Sequence, residues 1–182
     1  MLLTYMAGQR STWDYRLSSV AGIAVLGVAF LPTKRSAVGA SEMLCGPGSK
    51  PVPPGCTQIQ QLLGETLAAT IHFICAGIFI LSLAALCFVF ARREKVHGGS
   101  PARVRFHRTC GAVILGAVAW VGLGGLFGWD IFSFTPLYVG EVVSVYAFGA
   151  SWIVKGRDLL RNVPLLKTVF FPKESLPNGG GP

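Results

Sequence analysis

Four long stretches of this chain carry one charged side chain at most, and they restrict what the chain can fold into. They are residues 17–33, 66–91, 109–129 and 131–154. A helix that crosses a bilayer needs about 20 mostly apolar residues, with about 17 as the lower limit. None of the four alternates polar and apolar residues as the strands of a membrane barrel do. The stretches therefore predict four transmembrane helices.

The composition indicates that lipid, rather than a large buried core, covers most of the apolar surface. Charged residues make up 13% of the chain and hydrophobic residues 52%, whereas soluble domains carry about 25% charged residues. The charges gather between the apolar stretches, which is typical of membrane proteins. We predict an all-α, integral membrane four-helix bundle over 17–161, after an N-terminal segment, 1–16, and before a tail, 162–182, that is partly disordered.

The basic residues predict the orientation of the bundle. The net charge of +8 is also typical of nucleic-acid binding, but the predicted spans divide the basic residues unequally. The outer loop, 34–65, holds Lys34, Arg35 and Lys50, and the loop at Trp129–Asp130 holds none. The others lie before the first span, between the second and third, and after the fourth: Arg10, Arg16, Arg92, Arg93, Lys95, Arg103, Arg105, Arg108, Lys155, Arg157, Arg161, Lys167 and Lys173.

The positive-inside rule then places both termini in the cytoplasm. It predicts a multi-pass membrane protein whose partner is the lipid bilayer and not nucleic acid. A site for anionic lipid or for another protein is the alternative explanation of the basic residues.

The first span has an alternative interpretation as a cleaved signal peptide. Val38–Ala40 resembles a signal-peptidase site that follows an apolar segment. The motif lies beyond the Lys34–Arg35 pair, however, and Trp13 and Tyr15 are typical of interfacial anchors. A cleaved form would keep three spans in the same orientation.

The outer loop contains the motif "CGPGSKPVPPGC", with Cys45 and Cys56 at its ends. Its proline and glycine content excludes a regular helix or strand and predicts turns. Two cysteines that flank such a segment outside the cytoplasm predict a disulfide. A redox-active or metal-binding pair is the alternative, but the loop has no Cys-x-x-Cys motif and no nearby histidine.

Glu141 is the one acid within the fourth span, and His72 lies within the second. Both spans run from the outside inward, and if they enter the bilayer near Glu65 and Phe134, each residue lies seven positions further along. At 1.5 Å per residue, both lie about 10 Å below the outer surface. We therefore predict a polar site of His72 and Glu141, with Ser82 and Ser144 on the same helical stripes. The alternative is a structural hydrogen bond that fixes helix packing.

The sequence offers no pattern for a metal, a cofactor or catalysis. His72, His97 and His107 are predicted at different depths and cannot bracket one haem, and no tight cluster predicts zinc. No phosphate-binding glycine loop and no nucleophile elbow occur. We expect no cofactor, and the absence of a catalytic constellation favours a protein that is not an enzyme.

The third span is rich in glycine, and Gly124 and Gly128 are four residues apart. Small residues at this spacing let helices approach closely in lipid. The pattern predicts packing within the bundle or, as the alternative, a dimer face.

Three stretches resemble a family of small, uncharacterised bacterial four-span membrane proteins. They are "HFICAGIFILSL" from His72, "RFHRTCG" from Arg105 and "EVVSVYAFGASWIVKG" from Glu141. Together they cover about residues 66–156. The resemblance implies an integral plasma-membrane protein, and the family has no assigned activity.

Two functional hypotheses follow. The first is a non-enzymatic sensor or an accessory subunit that packs against a larger membrane complex. The alternative is an oligomeric transporter or proton-linked carrier that uses the His72–Glu141 pair; four helices enclose little space, so a carrier would have to form a homo-oligomer.

Overall fold

A computed structural model of the chain describes most of the predicted bundle. The described residues are 13–35, 44–49, 51–128 and 135–162, with side chains up to Arg157. All regular secondary structure in these ranges is α-helical. The helices are α1 (Trp13–Phe30), α2 (Gln58–Leu63), α3 (Glu65–Val96), α4 (Pro101–Phe127) and α5 (Pro136–Asn162). The predicted tail, the segment before Trp13 and the loop at Trp129–Asp130 lie outside the described residues.

Three of these helices are long and apolar enough to cross a membrane: Glu65–Val96, Pro101–Phe127 and Pro136–Arg157. Because so little of their apolar surface is buried inside the bundle, lipid is the natural partner for the rest. The first predicted span, 17–33, corresponds to α1, which has 18 residues and carries Asp14 in its first turn. A membrane span of 18 residues would have to use the whole of α1 and would therefore include charged side chains.

The segment between the second and third predicted spans is mostly helical. We predicted a basic loop over 92–108, but α3 continues to Val96 and α4 begins at Pro101. Pro101 is favourable in the first turn because a helix leaves that N–H without an intrahelical partner. Gly98 has a φ of +70°, a left-handed conformation that suits glycine in so short a turn. Most of the basic residues therefore lie on helix ends.

Helix α3 is the centre of the bundle. It packs against α1, α4 and α5, and α5 packs mainly against α4. A core of small and apolar side chains joins α3 to α4: Leu83, Ala84, Cys87, Cys110 and Ile114. Contacts between neighbouring helices define two ends of the bundle, a disulfide end at Phe30, Glu65 and Pro136, and a basic end at Trp13, Val96 and Pro101.

The predicted disulfide is confirmed. Cys45 and Cys56 are bonded, with their Cα atoms 5.8 Å apart. Behind the disulfide lies α2, a short helix that was not predicted; Thr57 and Gln60 form a capping box at its start. The side-chain amide of Gln60 donates to the carbonyl of Thr33 at 2.9 Å, which joins the loop to the end of α1.

Glu65 holds this loop against the start of α3. It is 2% exposed and accepts hydrogen bonds from the backbone N–H groups of Arg35 at 2.8 Å and Cys45 at 3.2 Å. The Arg35 guanidinium lies 3.2 Å from the same carboxylate and also donates to the carbonyl of Pro54 at 3.0 Å. A single buried carboxylate therefore connects three segments of the disulfide end.

Two of the glycines in α4 serve helix packing. A Cβ on Gly124 would lie 2.5 Å from two ring carbons of Pro136, and a Cβ on Gly111 would lie 2.9 Å from the ring of Phe88. At these two positions the small residues therefore let α4 pack closely against its neighbours within the bundle. Gly128, in contrast, ends α4 in a left-handed conformation, which is a common helix terminus.

Replacement of Gly124 by alanine is expected to destabilise the protein by about 1–3 kcal/mol, because an added methyl group in a tight contact costs that much. Pro136 is rigid and cannot move aside without displacing α5. Thermal unfolding in detergent measures the effect. The control is Gly125→Ala, since a Cβ there meets nothing within 4 Å; equal midpoints for the two variants would contradict close packing at Gly124.

Candidate functional site

A cavity of about 230 Å³ lies between α3, α4 and α5, in the half of the bundle nearer the disulfide end. Its lining is apolar except for two residues of α5, Glu141 and Ser144. The other described residues around it are Phe73, Ala76, Gly77, Ile80, Ala117, Val118, Val121, Leu137 and Gly140. The cavity is therefore an apolar space with one carboxylate in its wall.

The cavity exists because the facing residues are small. Gly77 and Ala76 on α3 face Ala117 on α4, and a Cβ on Gly77 would meet nothing within 4 Å. On the opposite wall the helices touch, since a Cβ on Gly140 would collide with the side chain of Val121 and lie 3.3 Å from the Ala117 carbonyl. Close approach of α4 and α5 thus positions the carboxylate-bearing turn beside an open space on α3.

Glu141 lies five residues after the start of α5 at Pro136, about 7–8 Å along the helix at 1.5 Å per residue. Its side chain is exposed, and no hydrogen bond or ion pair joins it to any residue that the structure describes. A carboxylate within a membrane span costs about 2.5–3.5 kcal/mol at the centre and less towards the surface. This carboxylate therefore lacks the compensation that buried acids normally have.

Ser144 lies one turn beyond Glu141 and is fully buried. Its hydroxyl donates to the carbonyl of Gly140 at 2.7 Å. A hydroxyl whose hydrogen is used in this way still has oxygen lone pairs that accept hydrogen bonds. Glu141 and Ser144 together offer two acceptors on one face of α5.

His72 faces a different neighbour. Its Nδ1 donates to the carbonyl of Leu31 at 2.6 Å, and Leu31 directly follows the end of α1. The last carbonyls of a helix have no intrahelical donor, so His72 satisfies one of them. Among the described residues no hydrogen bond joins His72 to Glu141, and His72 does not line the cavity.

Of the four residues of the predicted polar site, two line the cavity and two lie outside it. Glu141 and Ser144 line the cavity. Ser82 is buried on α3 and donates to the carbonyl of Ile78, one turn earlier, at 2.7 Å; it lies outside the cavity lining, as His72 does.

A second group of polar residues, which the sequence analysis did not single out, lies at the basic end. Asp14 on α1 is 2% exposed and lies 2.7 Å from the guanidinium of Arg93 on α3. The neighbouring Glu94 lies 3.2 Å from Arg103 on α4 and 3.6 Å from Lys155 on α5. These ion pairs connect all four long helices, and we call the five residues the basic-end cluster.

The sequence contains a weak signal for this cluster. Glu94 is the one acid in "ARREKV", and Asp14 lies among aromatic and basic residues before the first apolar stretch. An acid at such a position between basic residues suggests an ion pair at a helix end. The positive-inside rule explains the basic residues but gives no reason for the acids.

One turn deeper, His107 and Ser151 form a buried hydrogen bond of 2.7 Å between α4 and α5. Both side chains are fully buried. The rings of Phe90 and Phe106 contact the imidazole edge-on. The bond resembles a Ser–His dyad in composition, but neither residue lines the cavity at Glu141, and the bond joins two helices.

Comparisons with known proteins give no relative. No family model matches the chain, and no curated protein and no solved structure is similar to it. The resemblance to a four-span family therefore stays a prediction, and the function is argued from the geometry.

Proposed function

We propose that the chain is a four-span integral membrane protein with both termini on the cytoplasmic side of a bacterial plasma membrane. The three apolar helices support this, and so does the packing of α1 on α3. Contacts run from the Asp14–Arg93 pair at one end to the Leu31–His72 hydrogen bond at the other. The 18 residues of α1 extend about 27 Å, close to the thickness of the hydrocarbon layer of about 30 Å.

The chemistry of the two ends supports the orientation. The disulfide end carries the Cys45–Cys56 bond, and disulfides persist outside the cytoplasm. The basic end carries the exposed side chains of Arg92, Lys95, Arg105 and Arg108, and such residues flank spans on the cytoplasmic side.

We expect Lys34→Cys to react with a membrane-impermeant maleimide on intact cells, and Lys95→Cys to react only after permeabilisation. Both side chains are exposed, so accessibility depends on the side of the membrane rather than on burial. The unsubstituted protein gives the background from the native cysteines. Reaction of Lys95→Cys on intact cells would contradict the orientation.

We further propose that the protein works as a non-enzymatic sensor of a small amphipathic molecule that enters the Glu141 cavity from the bilayer. The observation that carries the proposal is a carboxylate in the wall of an apolar cavity that has no partner among the described residues. Binding sites are typically apolar spaces with a few polar groups that fix the orientation of the ligand.

The position of α5 supports a sensor. This helix carries Glu141 and Ser144 in the cavity, and Ser151 and Lys155 in contacts at the basic end. A ligand that displaces α5 would therefore change the ion pairs of Glu94. A cytoplasmic partner, a larger complex or a second copy of the chain that binds the basic end would then respond to the altered ion pairs.

The packing below the cavity disfavours the carrier. Leu83, Cys87, Cys110 and Ile114 fill the space between the cavity and the basic end. His72, the proposed partner of Glu141 in a carrier, donates instead to Leu31. A path through a single copy of the chain would need a continuous row of polar groups, and the described residues offer none through this core.

We expect Gly77→Leu to abolish saturable labelling of the cavity by a photoreactive long-chain amphiphile, because the new side chain occupies the cavity. Mass spectrometry of cross-linked peptides from purified protein in lipid nanodiscs measures the labelling. Gly125→Leu is the matched control, since Gly125 has the same room for a side chain as Gly77 but does not line the cavity. Undiminished labelling of Gly77→Leu at the cavity residues would refute the binding site.

A further inference from the structure

We propose that the ligand of the Glu141 cavity is a long-chain primary amine, bound as its ammonium ion without a phosphate group. This inference rests on the proposed function and names the class of molecule that the site recognises. It follows from the charge, the hydrogen-bonding capacity and the size of the cavity.

The charge of the wall favours a cation. Glu141 is the one ionisable residue among the described residues that line the cavity, and it has no partner in the described part of the chain. An opposite charge close to a carboxylate in apolar surroundings interacts with it strongly, because the effective dielectric constant there is low. An ammonium ion supplies that charge and gains a charge-assisted hydrogen bond.

Ser144, the second polar residue of the cavity wall, also favours a ligand that donates hydrogen bonds. The Ser144 hydroxyl hydrogen is used by the Gly140 carbonyl at 2.7 Å, so its oxygen is left to accept. An ammonium ion has three donors and no acceptor, which matches two acceptors one helical turn apart. A fatty acid would instead place a second carboxylate beside Glu141.

The size and lining of the cavity favour a single chain that extends into lipid. Its volume of about 230 Å³ is below the range of about 300–1,000 Å³ that is typical of sites enclosing a whole ligand. The cavity therefore holds the ammonium ion and the first part of the chain, and the remaining methylenes stay in the bilayer.

The same lining disfavours an aminophospholipid as the source of the ammonium. Its phosphate would lie close to Glu141, and none of the described lining residues is basic. An unpaired anion beside a carboxylate is unfavourable. A free amine avoids this cost, because its charged group is followed directly by methylenes.

The test uses three photoreactive probes of equal chain length that end in an amine, an alcohol or a carboxylate. Each is titrated into nanodiscs of neutral phosphatidylcholine that contain the full-length protein. We expect the amine to label cavity residues at a concentration about tenfold or more below the alcohol, since a hydrogen bond to a charged group contributes at least that factor. The carboxylate is expected to label least.

Two variants identify the groups responsible. Glu141→Gln keeps the shape of the side chain and is expected to remove the preference for the amine over the alcohol. Ser144→Ala is expected to weaken amine labelling about threefold to tenfold, as for one lost hydrogen bond. Tyr146→Phe, at an exposed position of α5, is the control and is expected to match the unchanged protein.

The outcomes separate this inference from the proposed function. Equal labelling by amine and alcohol that Gly77→Leu still abolishes would overturn the amine and leave the binding site. Displacement of the amine by phosphatidylethanolamine more readily than by a free alkylamine would also overturn it, in favour of a lipid headgroup. Absence of saturable labelling by all three probes would overturn the proposed function itself.

Discussion

Replacement of Glu94 by alanine is expected to lower the free energy of unfolding by about 3 kcal/mol, because removal of one partner from a buried ion pair costs about 3–5 kcal/mol. Glu94 is 6% exposed and is shared by Arg103 and Lys155. Without it, two cations from different helices face each other across a largely apolar interface. Arg103 retains some contact with solvent, which keeps the expected loss at the lower end of the range for such pairs.

The measurement is denaturant and thermal unfolding of the purified protein in detergent. Lys95→Ala is the matched control, since Lys95 is the next residue on α3, is exposed and has no ion pair in the described part of the chain. Equal stability of the Glu94 and Lys95 variants would show that the basic-end cluster does not hold α4 and α5 to α3.

Replacement of Glu65 by glutamine is expected to have a similar or larger effect, about 3–5 kcal/mol. The carboxylate accepts from the backbone N–H groups of Arg35 and Cys45 and lies against the Arg35 guanidinium. A glutamine side chain has one oxygen, and its NH₂ group would direct donors at donors. The loss is confined to the disulfide end, so the helices α4 and α5 are expected to keep their contacts.

This prediction has a second measurement besides stability. Cys45 is 2% exposed, and thiol–disulfide exchange depends on access to the sulfur. We expect the Glu65→Gln variant to be reduced by dithiothreitol faster than the unchanged protein, whereas Thr66→Ala, at the exposed neighbouring position, is expected to behave normally. An unchanged reduction rate in Glu65→Gln would mean that the loop is held by other contacts.

Several features could be predicted because they depend on neighbouring residues alone. The three apolar helices and the Cys45–Cys56 disulfide were predicted from uninterrupted apolar runs and from a short loop with cysteines at its ends. Glu141 and Ser144 were placed on one stripe by their spacing, and both line the cavity. The bounds of α3 and α4 were less well predicted, because charged residues end an apolar run without ending a helix.

The orientation of His72 illustrates what could not be predicted. Its depth follows from the rise per residue, but the direction of its side chain around the helix axis does not. Phe73, the adjacent residue, lines the cavity, whereas His72 donates to the end of α1. Neighbouring residues of a helix point about 100° apart. The rotation of α3 about its own axis therefore decides whether His72 or Phe73 faces the cavity.

The sequence by itself therefore determined the three apolar helices that are long enough to cross a membrane, the loop that carries the disulfide and the position of Glu141 near the start of its helix, since each depends on local composition and on distance along the chain. The tertiary structure alone decided that Glu141 faces an apolar cavity, that His72 binds the end of α1, and that Asp14 and Glu94 join four helices through ion pairs. The reason is physical: the rotation of each helix is set by packing between residues far apart in the chain, and small residues such as Gly124 and Gly140 allow that packing only where particular helices meet.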